Sequence, residues 1–272
     1  MSVIYEPKGK AREYSPLAVN FYNGCDHGCS YCYVPKLKGI TMEKYLSAGP
    51  RGKILQELEK DAKRLSYSKK QVLFNFVGDP YCKAEQQYEI TRSALEIMLK
   101  YHIPVAILTK GGLRALRDKD IILKYKDHIK VGATLTFDND KDSKTWEPGA
   151  ASPQERMHML KQYHDIGVKT WASFEPVISP RQSLSLIQQT LDFVYEYKIG
   201  KINNYHDIDK NINWNEFLAK AVKVLREAKK RFYVKYDLRI AAPSVKLYGD
   251  ETKEDSFGVK PWDLEELFKE VL

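Results

Sequence analysis

The chain has 272 residues and a mass of 31.5 kDa, with 43% hydrophobic and 29% charged residues, a composition that excludes a disordered or collagen-like protein. No uncharged apolar run approaches the roughly 20 residues that cross a bilayer, and the first ten residues lack an apolar signal core, so we expect a cytoplasmic protein with no membrane partner. The net charge of +8 favours contact with a polyanion such as nucleic acid, although a solvated basic surface explains it equally well.

Strands and helices alternate along most of the chain. Runs of β-branched or aromatic residues predict six strands, at 17–22, 72–77, 104–109, 130–137, 168–174 and 199–204. Apolar residues recur at helical spacing between them, at 54–65, 94–99 and 184–194. Such an alternation buries its apolar faces as a parallel sheet with outer helices. The predicted fold class is therefore α/β, a partial (β/α)6 TIM-like barrel with short C-terminal closing elements.

One helix is specified more closely than the others. Ser152 and Glu155 form a capping box. Pro153 occupies the first helical position, and Gly167 can end the helix. The pattern therefore predicts a helix around Met157 that leads directly into the fifth strand.

The chain after residue 205 supplies the closing elements. They are a helix at 214–230, a strand at 232–240 and a short last helix that begins near Trp262. No linker rich in proline, glycine or serine separates them from the preceding units. We therefore predict a single domain over residues 1–272, with a core at about 17–205 and an extension at about 206–272.

Three of the four cysteines lie together just after the first predicted strand. Cys25, Cys29 and Cys32 follow the spacing C-x-x-x-C-x-x-C, and Gly24 and Gly28 let the backbone of this loop curl. Three thiolates so close together repel one another unless a cation neutralises them. Soft sulfur ligands select iron–sulfur clusters, zinc or cuprous copper, so the spacing predicts a metal site.

Two other interpretations of the loop remain. Zinc normally takes a fourth protein ligand, for which the chain offers only His27 within the loop or the remote Cys82. Three inert structural cysteines would suit a less polar segment than one that contains Asp26, His27 and Ser30. Three ligands for a metal group with four positions would leave one position open.

The cysteine spacing, an aromatic residue before the last cysteine and the position after strand one all resemble radical S-adenosylmethionine (SAM) enzymes. In that family three cysteines hold a 4Fe-4S cluster whose fourth iron binds SAM, and the 5′-deoxyadenosyl radical made from SAM takes a hydrogen atom from the substrate. The sequence Gly-Cys-x-His-x-Cys-x-Tyr-Cys-Tyr here resembles the spore photoproduct lyase and DNA repair photolyase branch, over about 21–205. The resemblance implies that Tyr31 and Tyr33 border the cofactor.

The resemblance also assigns residues to the methionine part of SAM. Gly78, Asp79 and Pro80 at the end of strand two match the segment that contacts the amino group, for which a carboxylate or carbonyl is suitable. Lys110, at the end of strand three, matches a lysine that pairs with the carboxylate. Without the resemblance, Gly-Asp-Pro is a common turn, and a lysine at a strand end is usually solvated.

Strands four and five carry further matches. Thr134 matches a hydroxyl residue that binds the cofactor, although threonine also suits strands, and the role of Thr136 is left open. Glu175 and Pro176 match a position that borders adenine, where we expect contact through the backbone.

A Glu-Pro…Arg pattern of the same branch is also present. Glu147 and Arg156 match it, either as a buried pair that shapes the site or as a solvated surface pair of little energetic value.

The chain departs from spore photoproduct lyase at one position. That enzyme has a hydrogen-donating cysteine just before the strand-two aspartate, where this chain has Phe76 and Val77. Cys82 could be a hydrogen-atom donor instead, with Tyr81 as a second redox-active residue, or it could be an inert small hydrophobe. The substrate therefore stays open between a nucleobase in DNA or RNA and a small molecule or peptide, and a non-catalytic zinc-stabilised nucleic-acid-binding protein is the third hypothesis.

Two basic regions indicate partners. The first region, at 220–231, is followed by the aromatic Phe232 and Tyr233, a combination that suits phosphate contact and base stacking. A solvated helix face explains the same residues. Its basic residues are Lys220, Lys223, Arg226, Lys229, Lys230 and Arg231. The other region comprises Lys36 and Lys38, just beyond the cysteines, which could attract an anionic substrate or a reducing flavodoxin or ferredoxin.

Overall fold

The computed structural model describes residues 2–254 and 258–263. Its centre is one sheet of seven parallel strands that lie in chain order. The strands are β1 (Leu17–Val19), β2 (Val72–Phe74), β3 (Val105–Thr109), β4 (Ile129–Thr134), β5 (Lys169–Val177), β6 (Glu196–Lys201) and β7 (Arg231–Val234). The predicted α/β fold is confirmed, and the extension contributes a seventh strand to the same sheet.

Helices connect successive strands and cover the outside of the sheet. They are α1 (Val34–Lys38), α2 (Met42–Leu46), α3 (Ile54–Arg64), α4 (Glu85–Tyr88), α5 (Ile90–Lys100), α6 (Lys119–Leu123), α7 (Asp140–Trp146), α8 (Pro153–Asp165), α9 (Pro180–Thr190), α10 (His206–Asp209), α11 (Trp214–Glu227) and α12 (Tyr236–Ala241). Short 3-10 turns lie at Gly9–Ala11, Gly112–Asp118, Lys126–His128 and Gly249–Glu251. Within the described ranges, no helix is both long enough and apolar enough to cross a membrane.

The two faces of the sheet differ in character, as β4 illustrates. Val131 and Ala133 belong to the large apolar cluster under the helices. The alternate residue Gly132 faces inward, where a Cβ atom would lie 2.4 Å from Nε1 of Trp171 on β5. Glycine is therefore required at this position, because the indole fills the interior of the sheet and donates to the Ile107 carbonyl at 2.9 Å.

The sheet is open, because among the described strands β1 is hydrogen-bonded only to β2 and β7 only to β6. The N-terminal segment contacts both edges of this gap. Tyr5 forms an antiparallel bridge with Ala18 of β1, with N···O distances of 3.0 and 2.9 Å. Glu13 accepts a hydrogen bond of 2.8 Å from the Tyr233 hydroxyl of β7. No structure was predicted for this segment from the sequence.

Helix α8 has the predicted capping box. The Ser152 hydroxyl accepts from the Glu155 amide at 3.2 Å, and the Ser152 amide donates to the Glu155 carboxylate at 2.8 Å. The helix ends at Asp165, two residues before Gly167, whose φ of +83° places it in the left-handed region. The sequence prediction for this helix is confirmed at both ends.

The predicted strand at 232–240 is wrong beyond Val234, where the chain turns into α12. The Glu13 side chain explains the change, because its Oε1 accepts from the Tyr236 amide at 2.7 Å at the start of the new helix. The predicted last helix falls mainly on residues 264–272, outside the described residues. The division into core and extension stays a prediction.

Candidate functional site

The three-cysteine loop leaves the end of β1 and is held by segments that follow β4. The Ser30 amide donates to the Trp146 carbonyl at 2.8 Å, and the Gly149 amide donates to the His27 carbonyl at 2.8 Å. These backbone bonds fix the loop over the edge where the strands end, which is where reactive groups gather in barrels of parallel strands.

Two glycines allow the segment after β2 to approach this loop. Gly78 has a φ of +111°, and a Cβ atom there would lie 2.8 Å from the Gly24 carbonyl oxygen. A Cβ atom on Gly24 would lie only 2.3 Å from the Tyr45 carbonyl oxygen. A side chain at either position would push the loop outward. The close approach of the two segments therefore requires glycine at both Gly24 and Gly78.

The three thiols differ in their exposure to solvent. Cys25 and Cys29 are buried and Cys32 is half-buried. Burial raises the pKa of each thiol, to about 12 for Cys29, while the nearby Lys110 ammonium lowers the pKa at Cys29 and Cys32. Among the described residues, no three His, Cys, Asp or Glu side chains are arranged to hold a single metal ion. An iron–sulfur cluster takes each cysteine on a different iron, and three soft donors on one buried loop suit that kind of group.

The Asp79 carboxylate connects the segments that follow β2 and β3. Its Oδ1 accepts from the Tyr81 amide at 2.8 Å and from the Thr109 hydroxyl at 2.5 Å. Its Oδ2 accepts from the Lys110 amide at 2.7 Å and lies 3.6 Å from Nδ1 of His27. Three hydrogen bonds therefore fix the carboxylate, which holds the segments after β2 and β3 together.

Asp79→Ala is expected to lower the free energy of unfolding by about 2–4 kcal/mol, because two buried amides and the Thr109 hydroxyl would lose their acceptor. Urea denaturation measures the change. Asp120→Ala removes an exposed carboxylate paired with Arg92 and is the control, with an unfolding midpoint close to that of the unaltered protein. An unfolding midpoint for Asp79→Ala equal to that of the unaltered protein would contradict the role of Asp79 in holding the segments after β2 and β3 together.

The Glu147 carboxylate is the centre of a buried polar cluster. Its Oε2 accepts from Nη2 of Arg156 at 2.5 Å, and both side chains are about 1% exposed. Its Oε1 accepts from the Tyr31 hydroxyl and, at 3.2 Å, from the Thr136 hydroxyl. The Glu-Pro…Arg pattern is thus a buried pair rather than a surface pair, and it also holds the cysteine loop through Tyr31.

Lys110 completes this cluster. Its Nζ lies 3.9 Å from Oε1 of Glu147 and 5.4 Å from the centroid of the Tyr31 ring. Burial opposes ionisation of Glu147, but Arg156 and then Lys110, with the hydrogen bond from Tyr31, hold the pKa of Glu147 below its usual range. The predicted carboxylate-binding lysine is therefore held between an anion and an aromatic ring beside the thiols.

Two further predicted residues contribute backbone contacts. Thr134, at the end of β4, is buried, and its carbonyl accepts from Nη1 of Arg156 at 3.1 Å. Pro80 is buried after β2, and its carbonyl accepts from the Thr91 hydroxyl at 2.6 Å. Both residues lie at the same edge of the sheet as the thiols.

Glu175 and Pro176 lie near the end of β5. Oε2 of Glu175 accepts from the Tyr14 hydroxyl at 2.5 Å and from Nζ of Lys235 at 2.6 Å. Burial and then neighbours that include Glu175 raise the pKa of Tyr33 to about 12, although the Tyr33 side chain is 49% exposed.

Cys82 and Tyr81 lie on another side of the site. Cys82 is fully buried and Tyr81 is 1% exposed, and both line a cavity between the segment after β2 and the turn Gly112–Asp118. Burial, and then the Asp26 carboxylate, raises the pKa of the Cys82 thiol. A hydrogen-donating role for Cys82 stays a prediction.

The basic face predicted on α11 is largely paired within the protein. Glutamates bind its side chains at distances of 2.6 to 3.9 Å, two of them one helical turn away. These pairs are Lys220–Glu216, Lys223–Glu227 and Arg226–Glu251. The apolar face of α11 is buried, and the helix packs against α9 and α12.

Basic side chains beside the cysteine loop differ from those of α11. Lys38 donates to the Asn23 carbonyl at 3.1 Å, and Arg51 donates to the Asn20 carbonyl at 3.3 Å. Burial, and then the neighbouring Arg51, lowers the pKa of Lys38. Within residues 2–254 and 258–263, neither these two nor Lys36 forms a salt bridge with a carboxylate, so the loop is flanked by uncompensated positive charge.

Several site contacts were missed from the sequence. Arg114 donates to Nε2 of His27 at 3.0 Å, and neither residue was assigned this contact. Tyr14 and Lys235, which hold Glu175, were missed as well. Side chains alternate between the two faces of a sheet along a strand. This alternation could have indicated that Glu196 and Lys198, two residues apart on β6, share one face.

Comparisons with known proteins agree with this geometry. The family model described as the radical SAM superfamily matches residues 19–194, more than half of the chain. An uncharacterised protein of Methanocaldococcus jannaschii is 30% identical over 162 residues, which are 59% of this chain and 60% of that protein. An uncharacterised protein of Acidianus two-tailed virus is 25% identical over 186 residues, 65% of this chain and 61% of the viral protein. The matches thus span about three fifths of these relatives.

Solved structures share the fold. SuiB of Streptococcus suis bound to S-adenosylmethionine has a TM-score of 0.62 at 17% identity, over 85% of this chain and 53% of SuiB. A tyrosine-to-phenylalanine mutant of spore photoproduct lyase has a TM-score of 0.63 at 11% identity, over 86% of this chain and 78% of the lyase. At these identities the similarity shows the fold alone, and it confirms the predicted TIM-like barrel type.

Proposed function

This chain belongs to the radical SAM superfamily, and we propose that it cleaves SAM reductively at a 4Fe-4S cluster held by Cys25, Cys29 and Cys32, as a member of the spore photoproduct lyase-like branch. The family implies SAM and an iron–sulfur cluster, which together supply a 5′-deoxyadenosyl radical that abstracts a hydrogen atom. The observation that carries the proposal is the convergence of three thiols, two of them buried, with Lys110 and the Asp79 segment at one edge of the sheet.

We assign the binding of SAM to the residues that line this edge. Lys110 would pair with the methionine carboxylate, because Glu147 and Tyr31 already hold its ammonium beside the thiols. The segment Gly78, Asp79 and Pro80 would accept from the amino group, because Asp79 lies against the Lys110 amide at the same edge of the sheet.

Other residues would border the rest of the cofactor. The Thr134 hydroxyl would contact the cofactor at the end of β4. Tyr33 and the backbone of Glu175 and Pro176 would border the adenosine part of SAM, as the family resemblance implies for these positions. The protein therefore positions SAM mainly through loops that follow β1, β2, β3 and β5.

The proposed substrate is a nucleobase within DNA or RNA. Lys36, Lys38 and Arg51 carry charge that no carboxylate in the described part of the chain neutralises, which suits contact with the phosphates of a nucleic acid. A mutant spore photoproduct lyase of the same fold was solved with bound AdoMet and dinucleoside spore photoproduct, with a TM-score of 0.57 at 13% identity, over 98% of this chain and 73% of that chain.

The experiment is a hydrogen-transfer assay. Reduced protein and SAM are incubated with deuterated oligonucleotides or deuterated peptides, and 5′-deoxyadenosine is analysed by mass spectrometry. We expect deuterium in 5′-deoxyadenosine from an oligonucleotide. Deuterium from the peptide pool alone would replace the nucleobase by a peptide, a possibility to consider because SuiB, bound to its precursor peptide SuiA in another structure, shares the fold.

Lys38→Gln and Arg51→Gln are expected to weaken binding of single-stranded DNA and to lower the slope of log K against log salt by about 0.7 for each lost phosphate contact. Fluorescence anisotropy of a labelled oligonucleotide at several salt concentrations measures this. Lys220→Gln is the control, because Lys220 is paired with Glu216 on α11. If Lys38→Gln and Arg51→Gln leave the slope of log K against log salt unchanged, the polyanion binds to another part of the protein.

Cys82 and Tyr81 remain proposed donors for a later hydrogen transfer. The burial of Cys82 supports a reaction shielded from water. The same deuterium assay with Cys82→Ala tests this role, because loss of product with continued 5′-deoxyadenosine formation would indicate a step after hydrogen abstraction.

A further inference from the structure

Two side chains between the first two cysteines attach the loop to neighbouring segments. The Asp26 carboxylate accepts from the amides of Lys83 and Ala84 after β2, at 3.0 and 3.2 Å. His27 is 2% exposed, and its ring lies against side chains of the segments that follow β2 and β3. The proposed function assigns neither side chain a role, although both form contacts outside the loop.

The contacts of the His27 ring determine where its hydrogen lies. Nε2 lies 3.0 Å from Nη2 of Arg114, and because a guanidinium has only donors, Nε2 accepts this hydrogen bond. The hydrogen of the neutral ring is therefore on Nδ1, which lies 3.6 Å from Oδ2 of Asp79. The imidazole is thus placed between a guanidinium and a carboxylate, with one ring nitrogen toward each.

Both partners of His27 are held by the protein independently of the cysteine loop. Arg114 lies in the turn Gly112–Asp118, and its Nε donates to the Tyr81 carbonyl at 2.9 Å. The Asp79 carboxylate accepts three hydrogen bonds from the end of β3 and from the segments after β2 and β3. A shift of the loop away from this frame would break the hydrogen bond between His27 and Arg114.

We propose that His27, held by Arg114, is a positioning residue that keeps the cysteine loop at the distance from the Asp79 segment that SAM binding requires. Glycines set the closest approach of the two segments, because a Cβ atom at Gly78 would lie 2.8 Å from the Gly24 carbonyl oxygen. The contacts of His27 set the opposite limit, since they resist separation. The inference rests on the proposed function, in which the cluster on the loop and the Asp79 segment both bind the methionine part of SAM.

A bound SAM molecule would contact both segments at once. The metal group moves with the cysteine loop, whereas the acceptors for the amino group move with the segment after β2. Binding sites of this kind need their groups within about 0.5 Å of the productive geometry. Loss of the His27 contact is therefore expected to weaken SAM binding although all three thiols remain. A purely structural role of His27 would lower stability and leave the SAM affinity unchanged.

The first test measures the SAM affinity of the reconstituted, reduced protein. SAM is titrated in, and the change in the electron paramagnetic resonance signal gives the dissociation constant. We expect His27→Leu and Arg114→Leu each to weaken SAM binding about tenfold, and the double variant to bind no more weakly than the weaker single variant, because both changes break one connection. His27→Gln should bind within about threefold of the unaltered protein, since its amide oxygen can accept from Arg114.

His164→Leu is the matched control, because His164 is exposed on α8, and its SAM affinity should equal that of the unaltered protein. Affinities are compared per mole of bound cluster, and Arg114→Leu guards against cluster loss because Arg114 lies outside the loop. Dissociation constants of both leucine variants within about twofold of the unaltered value, or effects that add in the double variant, would overturn the proposal whatever the unfolding midpoints.

The second test uses the metal-free protein. Hydrogen–deuterium exchange, read by mass spectrometry, follows the amides of Lys83 and Gly149, which donate to the Asp26 carboxylate and to the His27 carbonyl. Arg114→Leu should speed up exchange at both amides about tenfold or more, whereas the control variant should leave it unchanged. Unchanged exchange in Arg114→Leu would overturn the proposal. If the unaltered protein binds neither iron nor SAM, the proposed function fails, and the exchange still decides whether Arg114 holds the loop.

Discussion

Cys29→Ala is expected to abolish stable iron binding and to reduce 5′-deoxyadenosine formation by roughly 100-fold or more, because the loop would retain only two of its three sulfur donors. The same result is expected for Cys25→Ala and Cys32→Ala. Iron and sulfide content after anaerobic reconstitution, together with chromatography of the nucleoside product, measures the effect.

Cys82→Ala is the matched control for these variants. Cys82 is the fourth cysteine of the chain, is buried, and lies outside the loop. Its removal should leave the iron and sulfide content of the unaltered protein. If Cys82→Ala loses iron as completely as Cys29→Ala does, four protein ligands hold the metal, and the open position proposed for SAM does not exist.

Arg156→Met is expected to lower the free energy of unfolding by about 3–5 kcal/mol, because it leaves the Glu147 carboxylate buried without its main counter-charge. The double variant Arg156→Met with Glu147→Gln should lose less, since the amide oxygen can still accept from Tyr31 and Thr136. Urea denaturation of both variants and of Glu147→Gln completes a double-mutant cycle.

The pH dependence of these variants follows from the lowered pKa of Glu147. A carboxyl whose pKa is lower in the folded state stabilises the protein above its unfolded value of about 4.3, and this contribution is lost as the pH falls through the folded value. The double variant should therefore lose less stability than the unaltered protein below about pH 4.3. Equal acid sensitivity, or a single variant as stable as the unaltered protein, would contradict a buried ionised pair.

The capping box of α8 was predicted correctly because it is local: it lies within four residues, so spacing alone defines it. The roles of the three cysteines, Asp79, Lys110 and Thr134 came from the family resemblance and stay predictions. The structure places Asp79, Lys110 and Thr134 at or after the ends of their strands, because parallel strands bring their carboxyl ends to one edge.

The contacts that were missed depend on distant segments. Glu147 reaches Tyr31 across the sheet edge, and the N-terminal segment brings Tyr14 to Glu175. The strand at 232–240 was overextended because Glu13, far away in sequence, caps α12 at Tyr236. No periodicity within either segment carries such information.

The sequence left two interpretations of α11 open, phosphate contact and a solvated helix face. The pairs Glu216–Lys220 and Lys223–Glu227 are spaced i, i+4, could be recognised in the sequence, and favour the solvated face. Phosphate contact by this helix stays a prediction. The uncompensated charge instead lies beside the cysteine loop, at Lys38 and Arg51.

Electron paramagnetic resonance of the anaerobically reconstituted, dithionite-reduced protein, recorded with and without SAM, tests the central claim most directly. The account predicts an iron–sulfur signal whose g values shift when SAM is added, because one iron has no protein ligand. An unshifted spectrum at saturating SAM, or a protein that retains zinc and incorporates no iron, would contradict it.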